Sequence, residues 1–187
     1  MNKLVFILLG LVIVVVVMKM QNKSSDDYQY IPEFNTELAY LTDTEQDMML
    51  EEYKFQGFDL ECFSNLKPNE KISEKDDYLC GSNIESAYNI PAKHMAIFFS
   101  KNKLTNVRLE FPNSSFELLK KHLEKTLKNY TRLDLRPGNT LDDSIIAWKT
   151  NNGIIATNKR LEGKILVLWS SKSTLSPLGK KAFQYIK

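Results

Sequence analysis

The apolar run that begins this sequence limits what the chain can be more than any other feature. After Met1-Asn2-Lys3, residues 4–18 contain no charged side chain and include four consecutive valines at positions 14–17. As a helix this run would be about 22 Å long, shorter than a hydrocarbon core of about 30 Å. Met20 lengthens the span, and Lys19 can extend its ammonium group towards the headgroups. We therefore predict that residues 1–20 form an N-terminal transmembrane signal anchor.

Two other interpretations of this run compete with the anchor. The apolar region of a cleaved signal peptide is typically about 7–15 residues long and is followed by small residues at the cleavage site. Here the run is followed by Lys19-Met20-Gln21-Asn22-Lys23, which contains none. A buried core helix would normally carry a polar stripe, which is missing. A lipoprotein anchor would need a cysteine at this border, and the first cysteine is Cys62.

The two cysteines help to predict on which side of the membrane the rest of the chain lies. The N-terminal amine and Lys3 favour a cytosolic N-terminus, whereas Lys19 and Lys23 compete from the other side of the run. An even pair of cysteines in an exported domain is most simply a disulfide, and the alternative is a reduced pair in the cytosol. We expect a Cys62–Cys80 disulfide and a C-terminal domain on the periplasmic side of the inner membrane.

Charge and composition describe an ordinary globular domain after the anchor. The 25 lysines and arginines against 23 acidic residues leave a net charge of +2, which argues against a nucleic-acid-binding protein. Residues 21–35 are polar and contain one proline, so we interpret them as a juxtamembrane linker. The exported domain then comprises residues 36–187. We find no internal repeat in it.

Hydrophobic patterning predicts an α+β domain. We expect a single antiparallel sheet of five or six strands, packed on one face by a central amphipathic helix over 115–129 that a Ser114-x-x-Glu117 capping box opens. The pattern also predicts a short helix over 43–53 and a short C-terminal helix that begins near Pro177. The predicted strands cover residues 55–63, 94–99, 104–111, 144–150, 154–160 and 164–170, with a hairpin turn at Asn151-Asn152-Gly153.

The side of the central helix that faces away from its apolar stripe is rich in lysine. Its apolar stripe consists of Phe116, Leu119, Leu123, Leu127 and Tyr130. We predict that the opposite side contacts a partner through Lys120, Lys121, Lys125 and Lys128. Interspersed glutamates also allow the simpler interpretation of a solvated surface. Trp148 and Trp169 are further candidate partner contacts, for which a core position is the alternative.

Few residues suit catalysis, metal binding or a cofactor. His94 and His122 are the only histidines, and the sequence contains no Gly-x-Ser-x-Gly motif. Two cysteines without further Cys or His partners do not make a zinc site. The carboxylate pairs Glu51-Glu52, Asp76-Asp77 and Asp142-Asp143 are best interpreted as solvated or turn-capping residues, and 64–77 as a charged solvent loop. We predict no catalytic residue, no metal and no cofactor.

The sequence therefore predicts a membrane-anchored extracytoplasmic protein-binding module that is not an enzyme. An envelope accessory or assembly subunit fits this description, and so does an immunity-type inhibitor of a toxic hydrolase. The expected partner is another envelope or membrane protein. One alternative is a small membrane-bound hydrolase that uses His94 or His122 with a carboxylate. Another is a sensor or carrier with an apolar ligand pocket.

Overall fold

A computed structural model describes residues 31–66, 76–133, 145–158 and 164–175. The chain divides into two units, Met1–Tyr30 and Ile31–Lys187, and all described residues belong to the second. The predicted signal anchor, most of the linker, the Asp142-Asp143 pair and the predicted C-terminal helix lie outside the described residues. In the ranges given above, no helix has the length and apolar character needed to cross a membrane.

The described residues form two α-helices, two short 3-10 turns and ten strands. The helices are α1 (Gln46–Phe55) and α2 (Phe116–Thr126), and the 3-10 turns are Leu38–Tyr40 and Asn113–Ser115. The strands are β1 (Glu61–Ser64), β2 (Tyr78–Asn83), β3 (Ser86–Ala87), β4 (Ile90–Pro91), β5 (His94–Ser100), β6 (Lys103–Phe111), β7 (Thr131–Leu133), β8 (Ile145–Lys149), β9 (Gly153–Asn158) and β10 (Ile165–Ser171).

Eight of these strands make one antiparallel sheet in the order β1-β2-β5-β6-β10-β9-β8-β7, and β3 pairs with β4 in a separate hairpin. The predicted sheet of five or six strands is therefore wrong, because the described residues place eight strands in it. The prediction missed β2 and β7. β2 ends in Gly81, Ser82 and Asn83, residue types that are not typical of strands, and β7 is an edge strand of three residues, too short to show the alternation of a half-buried strand. The predicted strand over 55–63 is also misplaced, because α1 continues through Phe55 and β1 begins only at Glu61.

The sheet consists of two halves with the same order of elements. In each half a helix precedes four strands of the sheet: α1 precedes β1, β2, β5 and β6, and α2 precedes β7, β8, β9 and β10. The strand order is the same when read outward in either direction from the central antiparallel pair, β6 and β10. The two halves are therefore related by an approximate two-fold axis between these strands, although the sequence shows no repeat.

Alternate side chains of the sheet form the core with the two helices. Along one row of register partners, the side chains of the six inner strands are all apolar: Cys80, Ile97, Val107, Trp169, Ile155 and Trp148. Met49 and Tyr53 from α1, and Leu119 and Leu123 from α2, belong to the same buried cluster. Both helices therefore pack on the same face of the sheet, and we call them, with residues 31–41, the helical layer.

A chain of aromatic rings connects the two helices through this layer. The ring of Tyr53 on α1 lies 6.0 Å from that of Phe34, which lies 5.9 Å from that of Tyr88. Tyr88 in turn stacks on His122 of α2, with 4.5 Å between ring centroids. Tyr88 and Asn89 form the β3–β4 turn, both with a φ of 59°. Such a φ is uncommon for tyrosine, and hydrogen bonds from the Tyr88 amide to Phe34 and from its hydroxyl to Thr36 hold this turn.

Candidate functional site: the outer surface of the helical layer

The predicted disulfide between Cys62 and Cys80 is confirmed. The two residues are direct register partners on β1 and β2, with Cα atoms 4.1 Å apart. Cys80 is fully buried, whereas Cys62 lies on a strand whose four residues are all exposed. The bond therefore fastens the edge of the sheet to the core.

Exposed large apolar side chains are concentrated on the helical layer. Within the described residues they are Ile31, Tyr40, Met48, Phe55 and Leu118 on this layer, and Phe63 on β1. The exposed fraction is 94% for Phe55, 75% for Tyr40 and 64% for Met48. Single exposed apolar residues are common on protein surfaces, but clustered ones indicate an interaction site.

The outer side of α1 combines apolar and acidic side chains. Met49 and Tyr53, four residues apart, point into the core. Helical spacing places Met48, Glu51, Glu52 and Phe55 together on the opposite side, where all four are exposed. We call these four residues the acidic stripe.

The outer side of α2 has the opposite charge. Phe116, Leu119 and Leu123 are buried, as the apolar stripe in the sequence predicts. Four exposed residues recur at spacings of three, four and three on the other side, and we call them the basic stripe: Leu118, Lys121, Lys125 and Lys128. Lys128 lies in the turn after the helix. The structure thus brings three of the four predicted partner lysines onto one exposed surface, whereas Lys120 is half-buried.

The two predicted partner tryptophans are both in the core. Trp169 is fully buried and Trp148 is 4% exposed. Their strand positions face the inside of the helical layer, so neither offers a surface in this conformation. A β-carbon at Gly153 would lie 3.0 Å from the Trp169 Nε1 and 2.2 Å from the Ser170 carbonyl oxygen, which explains why this position has no side chain.

His94 lies on the opposite face of the sheet from the helical layer. Its register partner on β6 is Glu110, whose carboxylate forms an ion pair with the Lys164 ammonium at 3.0 Å. Burial lowers the pKa of His94, and the positive charges of Arg108 and Lys164 lower it further, whereas Glu110 and Glu61 oppose this shift.

His122 is held by its stack on Tyr88, and burial also lowers its pKa. Within the described residues, neither histidine hydrogen-bonds a carboxylate, so the hydrolase alternative gains no support from this geometry. The same residues contain no group of three or more Cys, His, Asp or Glu side chains that could hold a metal ion.

Sequence reasoning missed a polar cavity of about 460 Å³ beside the sheet. It is lined by Thr42, Asp43, Asn151, Asn152, Lys172 and Ser173. The Ser171 hydroxyl donates a hydrogen bond to Asp43, one of the lining residues. These residues come from three distant segments, so no local motif marks them. The polar lining does not suit an apolar ligand, and this cavity therefore gives no support to the sensor or carrier alternative.

Asp76 is buried, which corrects its placement in a solvent loop. It is fully buried and accepts a hydrogen bond of 2.6 Å from the Thr105 hydroxyl. The Asn106 side chain donates to both carboxylate oxygens, at 3.2 and 3.1 Å. Thr105 and Asn106 lie at the irregularity where the β5–β6 register shifts after Phe98. Asp76 thus anchors the chain that enters β2 to the middle of the sheet.

Comparison of the chain with protein-family models, with curated proteins and with solved structures finds no match.

Proposed function

We propose that this chain is a membrane-anchored, extracytoplasmic protein-binding module, without enzymatic activity, that binds its partner through the outer surface of the helical layer. The apolar run over residues 4–20 is the proposed anchor, single-pass in the inner membrane. The disulfide supports a domain on the periplasmic side, because such bonds persist in oxidising compartments.

The observation that carries this proposal is the exposure of Phe55. An aromatic ring that is 94% exposed gains little from folding, and burying it in an interface is worth roughly 1.5–3 kcal/mol. Met48 lies two helical turns earlier on the same side, and Glu51 and Glu52 lie between them. Large apolar anchors beside charged groups are characteristic of the centre and rim of protein interfaces.

An envelope accessory or assembly subunit and an immunity-type inhibitor both use a surface of this kind. They differ in the partner: the subunit binds a component of an assembly, whereas the inhibitor binds a hydrolase and abolishes its activity. The identity of a captured partner therefore separates the two.

The experiment is crosslinking of the tagged full-length protein in native membranes, followed by purification and mass spectrometry. A Phe55→Ser variant is compared with the wild type, and Phe63→Ser serves as the matched control because Phe63 is exposed on β1, outside the helical layer. We expect Phe55→Ser to lose a partner that the wild type and Phe63→Ser retain. If the wild type captures neither another protein nor a second, crosslinked copy of itself, or if both variants behave alike, the proposal is wrong.

A further inference from the structure

We propose that the partner of the helical layer is a second copy of this chain, in a closed two-fold dimer in which the acidic stripe of each copy covers the basic stripe of the other. This inference rests on the proposed function, because it identifies the partner of the same surface. It follows from the charges of the two helices and from their positions on the sheet.

The charges of the two helices are complementary. α1 has three acidic residues and one lysine, a net charge of −2, and the acidic side chains Asp47, Glu51 and Glu52 are all exposed. From Phe116 to Lys128, α2 and the turn after it contain four lysines and two glutamates, a net charge of +2. A uniformly basic partner would be attracted to α1 and repelled by α2. A uniformly acidic partner would be attracted to α2 and repelled by α1. A second copy of this chain is complementary to both helices at once.

The positions of the helices allow both contacts to form together. α1 and α2 pack on the same face of the sheet, and each precedes the four strands of one half of the sheet. A two-fold axis that lies in the interface and runs between the two helices would place α1 over the partner's α2, and α2 over the partner's α1. A closed dimer is the commonest form of soluble oligomer, and its symmetry makes the two contacts identical.

The helices also match in length and in their apolar residues. At about 1.5 Å per residue, the ten residues of α1 and the eleven of α2 span about 15 and 16 Å. Met48 and Phe55 would supply apolar contact from one stripe and Leu118 from the other. The charged residues between them would set the register and favour association, as charge complementarity does in protein interfaces.

The test measures the mass of the purified full-length chain in detergent micelles by light scattering. Two charge-reversed variants are used: E51K/E52K, which makes both stripes basic, and K121E/K125E, which makes both acidic. An E61K/E85K variant is the matched control, because both glutamates are exposed and neither belongs to α1 or α2.

We expect the wild type and the control to be dimers, and each charge-reversed variant alone to dissociate at least about tenfold more readily, which corresponds to about 1.4 kcal/mol. An equimolar mixture of the two charge-reversed variants should form dimers with one chain of each, because both contacts then pair opposite charges again. Restoration by mixing also excludes misfolding as the reason for dissociation.

Three results would overturn the dimer. The first is a wild-type chain that remains monomeric over the accessible concentration range, and the second is a mixture that remains monomeric although the wild type dimerises. The third is a monomeric wild type that binds vesicles containing phosphatidylglycerol, together with a K121E/K125E variant that does not bind them. That result would mean that Lys121 and Lys125 bind lipid. A monomer that still captures a different protein through Phe55 would overturn the dimer but leave the proposed function intact.

Discussion

The imidazole ring of His122 lies flat against the phenol ring of Tyr88, with 4.5 Å between centroids and 15° between ring planes. This contact joins α2 to the β3–β4 turn, and through Phe34 to α1. Because the surface of the helical layer depends on the relative placement of the two helices, this stack helps to fix the geometry of the proposed interface.

The stack makes stability depend on pH. Burial lowers the pKa of His122 below its ordinary value, and the same holds for His94. The folded chain thus binds fewer protons than the unfolded chain, in which the pKa of a histidine is about 6.5. Stability should therefore fall as the pH drops from about 7.5 to 5.5.

Urea unfolding, followed by the fluorescence of the buried Trp148 and Trp169, measures this effect at the two pH values. A His122→Phe variant keeps two stacked rings without a titrating group, so it should lose less stability than the wild type on acidification. An equal loss in the two proteins, or a wild type that is more stable at pH 5.5, would show that this explanation is wrong.

Removing the disulfide should destabilise the domain. The C62S/C80S variant removes a cross-link between two residues that are 18 positions apart in sequence. For a loop of this size, chain entropy predicts that the free energy of unfolding falls by roughly 3 kcal/mol. The shift of the urea unfolding midpoint measures this loss. The wild type unfolded under reducing conditions is the comparison. If both thiols of the non-reduced, denatured protein react with a maleimide, the bond and the argument for export that rests on it both fail.

Gly153→Ala should lower the free energy of unfolding by roughly 1–3 kcal/mol, as overpacking of a core does. The new β-carbon would collide with the backbone of Ser170. Gly81→Ala is the matched control. There the nearest atoms, at 2.9 and 3.0 Å, belong to the His94 side chain, and the nearest backbone atom, the Met95 oxygen, lies 3.3 Å away. Thermal unfolding of both variants should show the larger loss for Gly153→Ala, and the reverse order would contradict the packing described here.

The neighbouring residues Asp76 and Asp77 should respond differently to the same change. Asp76→Asn places an amide against the donating side chains of Thr105 and Asn106, and leaving such buried groups unpaired costs about 1–3 kcal/mol. Asp77 is exposed, so Asp77→Asn should change stability by less than about 0.5 kcal/mol. Equal effects in a urea titration would mean that Asp76 is not a buried anchor.

Local sequence patterns predicted the elements that short-range signals specify. The hairpin over 94–99 and 104–111 corresponds to β5 and β6, and the predicted central helix contains α2. Val107, Leu109 and Phe111, which alternate along the predicted strand over 104–111, are all buried. In each case the residues that determine the element are neighbours in sequence.

Features that depend on distant residues could not be predicted in this way. Asp76 is buried by partners about 30 positions later, and the cavity beside Asp43 draws on three segments. The Tyr88-Asn89 turn escaped notice because tyrosine is not typical of a positive φ. On α1 the neighbouring residues Met48 and Met49 are chemically identical, and only the packing shows that Met49 is buried and Met48 exposed.

Photocrosslinking in native membranes tests whether the outer surface of the helical layer binds protein. A photoreactive phenylalanine analogue replaces Phe55 in the full-length chain, and a second version carries it at Phe63. We predict a protein adduct from position 55 and none from position 63. No adduct from position 55, or the same adducts from both positions, would contradict the account.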